Sequence, residues 1–139
     1  MIRAVLDANV IVSCFPATKG TLVELRRHFQ VNSFTLVTSD FILGEVRSAW
    51  QEPYWAARLS TDVIAETFEL IDELAEKVDP RTPMMRVATH SEDDLVLAAA
   101  VGAKVDFLVS GDHGLLGIGA YAGVRLITCS QFVELLDRR

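Results

Sequence analysis

Short apolar runs alternate along the chain with longer stretches in which apolar residues recur every three or four positions. Ile2 to Leu6 is a run of strand length, and Phe34 to Thr38, Phe107 to Ser110 and Val124 to Thr128 are three more. Between them lie helical patterns. Gly20 to Phe29 sets Leu22, Val23 and Leu25 against charges on the other side. Ser39 can cap a helix carrying Phe41, Ile42, Val46 and Ala49, interrupted at Pro53. A longer helix begins at Ser60 or Thr61, with Val63, Ile64, Phe68, Ile71, Leu74 and Ala75 at helical spacing up to Asp79-Pro80. Asp79 to Pro83 is rich in turn formers and reads as a loop within one domain. Ser91 to Ala103 is apolar almost all round after an acidic start, the pattern of a buried helix, and Ser130 to Leu136 closes with a short one. Strands alternating with helices predict an α/β domain, with a mainly parallel sheet and right-handed crossovers.

Composition narrows this picture. At 139 residues and 50% hydrophobic, the chain suits a single domain, 1–139, with a sizeable core. There is neither an apolar run of membrane-spanning length nor a signal-peptide pattern, so a soluble cytoplasmic protein is expected. Cys14 and Cys129 form no disulfide framework and no zinc spacing with His28, His90 or His113, so both read as reduced residues in or near the core. With 13 Lys+Arg against 19 Asp+Glu, the net charge of −6 argues against gripping nucleic acid over the whole surface. A polyanionic substrate would need a local basic patch or a metal.

The acidic residues have telling addresses. Asp7 follows the first strand, Asp112 follows the strand ending in SGD, and Asp93 and Asp94 open the buried helix. Clefts in open parallel sheets form where strands hand over to helices, which directs these positions to one sheet edge. Glu45 follows Phe41 and Ile42 by four and three residues, placing its stem on their inward stripe. Clustered carboxylates repel one another, and burial makes their charged forms costlier, so such a cluster calls for protons, salt bridges or a cation. The only lysines are Lys19, Lys77 and Lys104. A hard divalent ion, Mg²⁺ or Mn²⁺, is the simplest partner, and its chemistry with phosphates is hydrolysis.

Four fragments in order, VLDANVIVS at Asp7, SDFILGEV at Glu45, SEDDLVLAAA at Asp93-Asp94 and FLVSGDHGLL at Ser110 and Asp112, carry a resemblance that spans nearly the whole chain. The sequence resembles the PIN-domain family, particularly its toxin-type (VapC-like) branch. That resemblance implies a three-layer α/β/α sandwich around a central, mainly parallel sheet, bearing a Mg²⁺- or Mn²⁺-dependent ribonuclease site. It implies a catalytic quartet of Asp7, Glu45, Asp93 and Asp112, of which Asp7, Asp93 and Asp112 hold the metal. Asn9, Ser110 and Asp94 would be polar neighbours that position substrate and ligands. Asp93 and Asp94 compete for one family position, and counting back from Ala100 favours Asp93. Ala8 stands where the family often has threonine, and Ser110 also stands in for a threonine. An RNA substrate, a cognate antitoxin that inserts a basic side chain into the acidic cleft, and a homodimer are implied in the same way.

Each carboxylate also has a plain structural role open to it. Asp7 can end a strand in an Asx-turn, Asp93 and Asp94 can complement a helix dipole, Asp112 can make a turn, and Glu45 can pair with Arg47. Arg26-Arg27-His28 and Arg81 to Arg86 read either as RNA-backbone contacts or as solvated faces. His113 is within reach of the Asp112 region or simply exposed. The segment WQEPYW, Trp50 to Trp55, reads as an aromatic patch for a partner or RNA, or as packing against the longer helix. Two other functions fit parts of the pattern. One is a PIN-fold binding module that does not cut. The other is a phosphatase of the haloacid-dehalogenase type, for which Asn9 occupies the second aspartate's position and the clamping lysine is missing.

Overall fold

In a computed structural model of the chain, residues 1–78 and 91–139 are described, with 91–94 described by backbone alone. The elements run β1 (Arg3–Leu6), α1 (Ala8–Cys14), α2 (Thr21–Gln30), β2 (Thr35–Thr38), α3 (Asp40–Trp50), α4 (Pro53–Ala56), α5 (Thr61–Leu74), β3 (Glu76–Lys77), α6 (Ser91–Gly102), β4 (Phe107–Val109), α7 (His113–Leu116), β5 (Ala120–Tyr121), β6 (Val124–Ile127) and α8 (Cys129–Asp137). The strands form one sheet in the order β3-β2-β1-β4-β6-β5, parallel except for the β5–β6 pair at one edge. With helices packed about it, this is the expected α/β sandwich.

The central strands are apolar on both faces, as strands covered by helices must be. Ala4, Val5, Leu6, Leu36, Val37, Leu108 and Val109 are all buried. Helix α6 packs directly on β1 and β4. Val96 to Ala100 are buried on every side of it, as its lack of a polar face predicts. Against α2 and α8, an aromatic cluster fills the core, with Phe34 edge-on to Phe132 at 5.0 Å and Phe15 edge-on to Phe29 at 5.6 Å.

The chain departs from the predicted pattern at four places. Residues 8–14, to which the pattern assigns no element, form helix α1, although Val10, Ile11 and Val12 are β-branched. Tertiary packing overrides that propensity, because α1 is buried against α2 and α3. Helix α5 ends at Leu74, where the chain extends into the two-residue strand β3. Lys77 of β3 pairs with Asp40 at 3.2 Å and Asp72 at 3.7 Å, joining this edge to α3 and α5. The antiparallel strand β5 turns into β6 through Ala122 and Gly123, both at positive φ (51° and 87°), the backbone of a tight two-residue hairpin. The Trp50 to Trp55 segment divides: Trp50 is buried in the core, Trp55 half-buried and Tyr54 exposed. The Arg81 to Arg86 stretch lies outside the described residues.

Candidate active site

Strand β1 lies at the centre of the sheet and ends at Asp7, whose N–H continues the ladder by donating to the Val109 carbonyl at 2.9 Å. Asp7 is also the N-cap of α1. Its carbonyl accepts from the Val10 and Ile11 N–H groups, and its Oδ1 accepts from the Ala8 N–H at 2.8 Å. The neighbouring strand β4 ends at Ser110, whose N–H donates to the Ile127 carbonyl. Because β1 and β4 are parallel and in register, their ends bring Ser110 to Asp7. The Ser110 hydroxyl, fully buried, donates to Asp7 Oδ2 at 2.9 Å and accepts from the Asp112 N–H at 3.0 Å. Asp112 then caps α7 through Oδ2, which accepts from the Leu115 N–H at 2.8 Å.

The structural and chemical readings of these aspartates therefore coexist. Each fixes a helix start, and the bonds that do so lock its rotamer. An ionised carboxylate offers about four lone-pair positions, so Asp7 keeps acceptor capacity after bonding Ala8 and Ser110.

Glu45 arrives from a third direction. Ser39, buried after β2, caps α3 by accepting from the Ile42 N–H at 3.2 Å, and Glu45 lies half-buried one turn further along. The bearing of α3 on α1 is fixed at its far end, where the Trp50 indole N–H donates to the Val12 carbonyl at 3.2 Å. As a result Asp7, Asn9, Glu45 and Asp112 line one cavity of about 160 Å³, walled by Ala8, Val12, Ala49 and Val96. Ser110 supports it from beneath through its bonds to both aspartates. Asn9 is exposed at its mouth, in the first turn of α1.

Burial pushes the Asp7 carboxyl above its usual range. The Ser110 hydroxyl and the Ala8 N–H pull it back, and the charge of Asp112 pushes it up again. That is the signature of a carboxylate short of positive charge. Among the described residues no three acidic, histidine or cysteine side chains alone make a metal-binding group. Asp93 and Asp94 fall in the first turn of α6, and the placement of their side chains lies outside the described residues.

The basic residues picked out in α2 are engaged elsewhere. Arg26 closes the end of α1 by donating from Nη1 to the Phe15 and Ala17 carbonyls, both at 2.7 Å. Arg27 pairs with Glu24, and His28 bonds Ser33 at 2.9 Å and Asp137 at 2.7 Å. Arg26 and His28 are thus tied into the fold, while the Arg27–Glu24 pair lies at the surface. His113 is exposed at the start of α7. Cys14 is buried and Cys129 half-buried, both free, and burial pushes their thiols up to about 12 and about 11.

A family model for the PIN domain matches residues 3–114, which run from β1 to the start of α7 and include every lining residue of the cavity. The chain belongs to the PIN-domain family. The fold is thus a nuclease-type fold, commonly that of metal-dependent ribonucleases, and the phosphatase reading falls away. A search of curated proteins finds no match. No helix among the described residues is long and apolar enough to cross a membrane.

The cavity walls were not legible in the sequence, since Ala8, Val12, Ala49 and Val96 look like any other core residues. The tie from Trp50 to Val12 was equally hidden, because it joins residues 38 apart.

Proposed function

We propose that this PIN domain is a Mg²⁺- or Mn²⁺-dependent endoribonuclease acting as the toxin of a toxin–antitoxin pair. The observation that carries the reading is the convergence of Asp7, Glu45 and Asp112, from three separate elements, on one cavity in a PIN domain. The donor set suits a hard cation: oxygen ligands only, one of them a buried carboxyl raised by burial and by a neighbouring carboxylate.

Asp7, Asp112 and Asp93 would hold the ion, with Val96, one turn after Asp93 in α6, lining the same cavity. The cation supplies Lewis acidity and charge neutralisation for phosphodiester hydrolysis. The Ser110 hydroxyl favours the charged form of Asp7, offsetting part of the cost of its burial, and ties its position to that of Asp112. Glu45 completes the acidic shell or orients the attacking water, taking its proton. Asn9 at the mouth offers an amide to the RNA backbone, and Asp94 serves as an auxiliary beside Asp93. The resemblance to PIN-domain ribonucleases implies 3′-hydroxyl and 5′-phosphate ends.

Beside the cavity, a groove of about 550 Å³ runs along α3 past Asp40, Phe41, Glu45 and Glu52, and shares Glu45 and Ala49 with it. An acidic groove that also carries Phe41 and Ala49 suits a basic segment of a cognate antitoxin, whose cationic side chain would compete with the metal. A homodimer belongs to the same toxin reading, and sedimentation analysis tests it.

The test is cleavage of a mixed RNA pool by purified protein in Mg²⁺, Mn²⁺ or EDTA, beside folded Asp7→Asn and Asp93→Asn variants. Cutting that needs metal, leaves 5′-phosphates and is lost in both variants supports the reading. Equal treatment of RNA by wild type and variants, with antitoxin removed, points to a binding module that does not cut.

A further inference from the structure

The α4 turn carries an arrangement that the carboxylate site does not use. Tyr54, in that turn, is 58% exposed. Its neighbour Trp55 packs partly against the core and meets Tyr54 edge-on, with ring centroids 4.9 Å apart and planes at 89°. Arg58, one turn on and also exposed, donates from Nη1 to the Tyr54 carbonyl at 2.7 Å. Its guanidinium carbon sits 3.8 Å from the Tyr54 ring centroid.

Among the described residues, two other arginines lie over aromatic rings, and both differ. Arg47 covers half-buried Phe68 and Arg125 covers buried Phe107, so those contacts belong to packing. Only at Tyr54 are both the ring and the cation at the surface.

We propose that Tyr54 and Arg58 form a stacking platform for an unpaired base of the RNA strand that enters the carboxylate cavity. This rests on the ribonuclease reading above. Position supports it, because Ala49, which lines the cavity, is five residues from Tyr54, at most about 19 Å of chain. Charge supports it as well. The groove beside the cavity carries Asp40, Glu45 and Glu52 and repels phosphates, so a strand entering the cavity needs anchorage that does not depend on its backbone. A base stacked on a guanidinium or aromatic plane supplies that, and every base has such a face. The cation favours a nucleic acid over an apolar protein surface, and Trp55 holds the platform against the core.

The test measures binding of labelled single-stranded RNA and a duplex of the same composition, with Ca²⁺ replacing Mg²⁺ to hold back cleavage. Wild type is compared with Tyr54→Ala, Tyr54→Phe and Arg58→Lys. Loss of one stacked base predicts roughly five- to hundredfold weaker single-strand binding for Tyr54→Ala, with an unchanged salt slope because no charge is lost. Tyr54→Phe keeps the ring and retains wild-type affinity, whereas Arg58→Lys keeps the charge but not the plane and weakens binding. Duplex binding is the same in all four. The platform is rejected, with the nuclease intact, if Tyr54→Ala binds and cuts single strands like wild type. It is equally rejected if Tyr54→Ala instead abolishes a concentration-dependent self-association, which would make the patch a protein interface. A wild type that neither binds nor cuts any RNA rejects the ribonuclease reading and the platform together.

Discussion

At the scale of single residues, the account turns on Asp7, whose buried carboxylate is held by a serine and crowded by Asp112. Since its folded pKa is raised, the stability it contributes is present at low pH and lost as pH rises through that folded value. Asp7→Asn removes the charge, keeps an oxygen for the Ala8 N–H, and exchanges the bond accepted from Ser110 for one its amide donates to the Ser110 oxygen. In EDTA at neutral pH the variant is expected to melt a few degrees higher than wild type, for about 1 kcal/mol, yet to gain nothing on adding Mn²⁺. A lower melting point in EDTA, or an undiminished gain with Mn²⁺, would count against this view of Asp7. Ser110→Ala has the opposite sign. It strips Asp7 Oδ2 and the Asp112 N–H of a shared buried partner, with an expected loss of about 1–3 kcal/mol in denaturant unfolding. Removing the donor also raises the Asp7 pKa further, so metal binding in the variant should set in at higher pH. These two aspartates and Glu45 were legible in the sequence, because strand ends and helix stripes show in one-dimensional spacing. The Ser110 bridge was legible only as a polar neighbour, since its bonding depends on the register of β1 against β4.

At the scale of elements, the sequence disclosed those whose period is long enough to repeat. Strands β1, β2, β4 and β6 and helices α2, α3, α6 and α8 lie within a residue or two of the positions their patterns predict. Helix α1 was hidden because its Val-Ile-Val run has β-branched residues, and the two-residue strands β3 and β5 are too short to show a period. The β5 hairpin also lacks the usual Asn-Gly signal, having Ala122 at φ 51° instead. Left-handed backbone disfavours an alanine Cβ, so Ala122→Gly is expected to stabilise the fold by about 0.5–1 kcal/mol in denaturant unfolding. A destabilised variant would show that the turn is not strained. At the other end of the site, Trp50→Phe keeps a ring beside Phe68 but drops the bond to Val12. It should cost about 1 kcal/mol and loosen α3, and with it Glu45, relative to α1. Activity falling further than stability alone explains would be the mark of that positioning role, and an equal fall in both would remove it.

At the scale of the whole molecule, the net charge of −6 and the ties of Arg26 and His28 to the fold argue against electrostatic capture of RNA over the whole surface. The chain is therefore expected to hold substrate through its cation and a few local contacts, with a shallower salt dependence than a basic RNA-binding protein shows. What gathers the carboxylates is topology: parallel strands at the centre of one sheet end at the same edge, and α3 leans its acidic residue over that edge. The most direct measurement is titration of Mn²⁺ into the apo protein by calorimetry, for wild type and for the Asp7→Asn, Asp93→Asn, Asp94→Asn and Asp112→Asn variants. The account predicts binding weakened at least tenfold by loss of Asp7, Asp93 or Asp112, and less by loss of Asp94. Unchanged Mn²⁺ affinity in Asp7→Asn or Asp112→Asn would contradict a single cation site built from these strand ends.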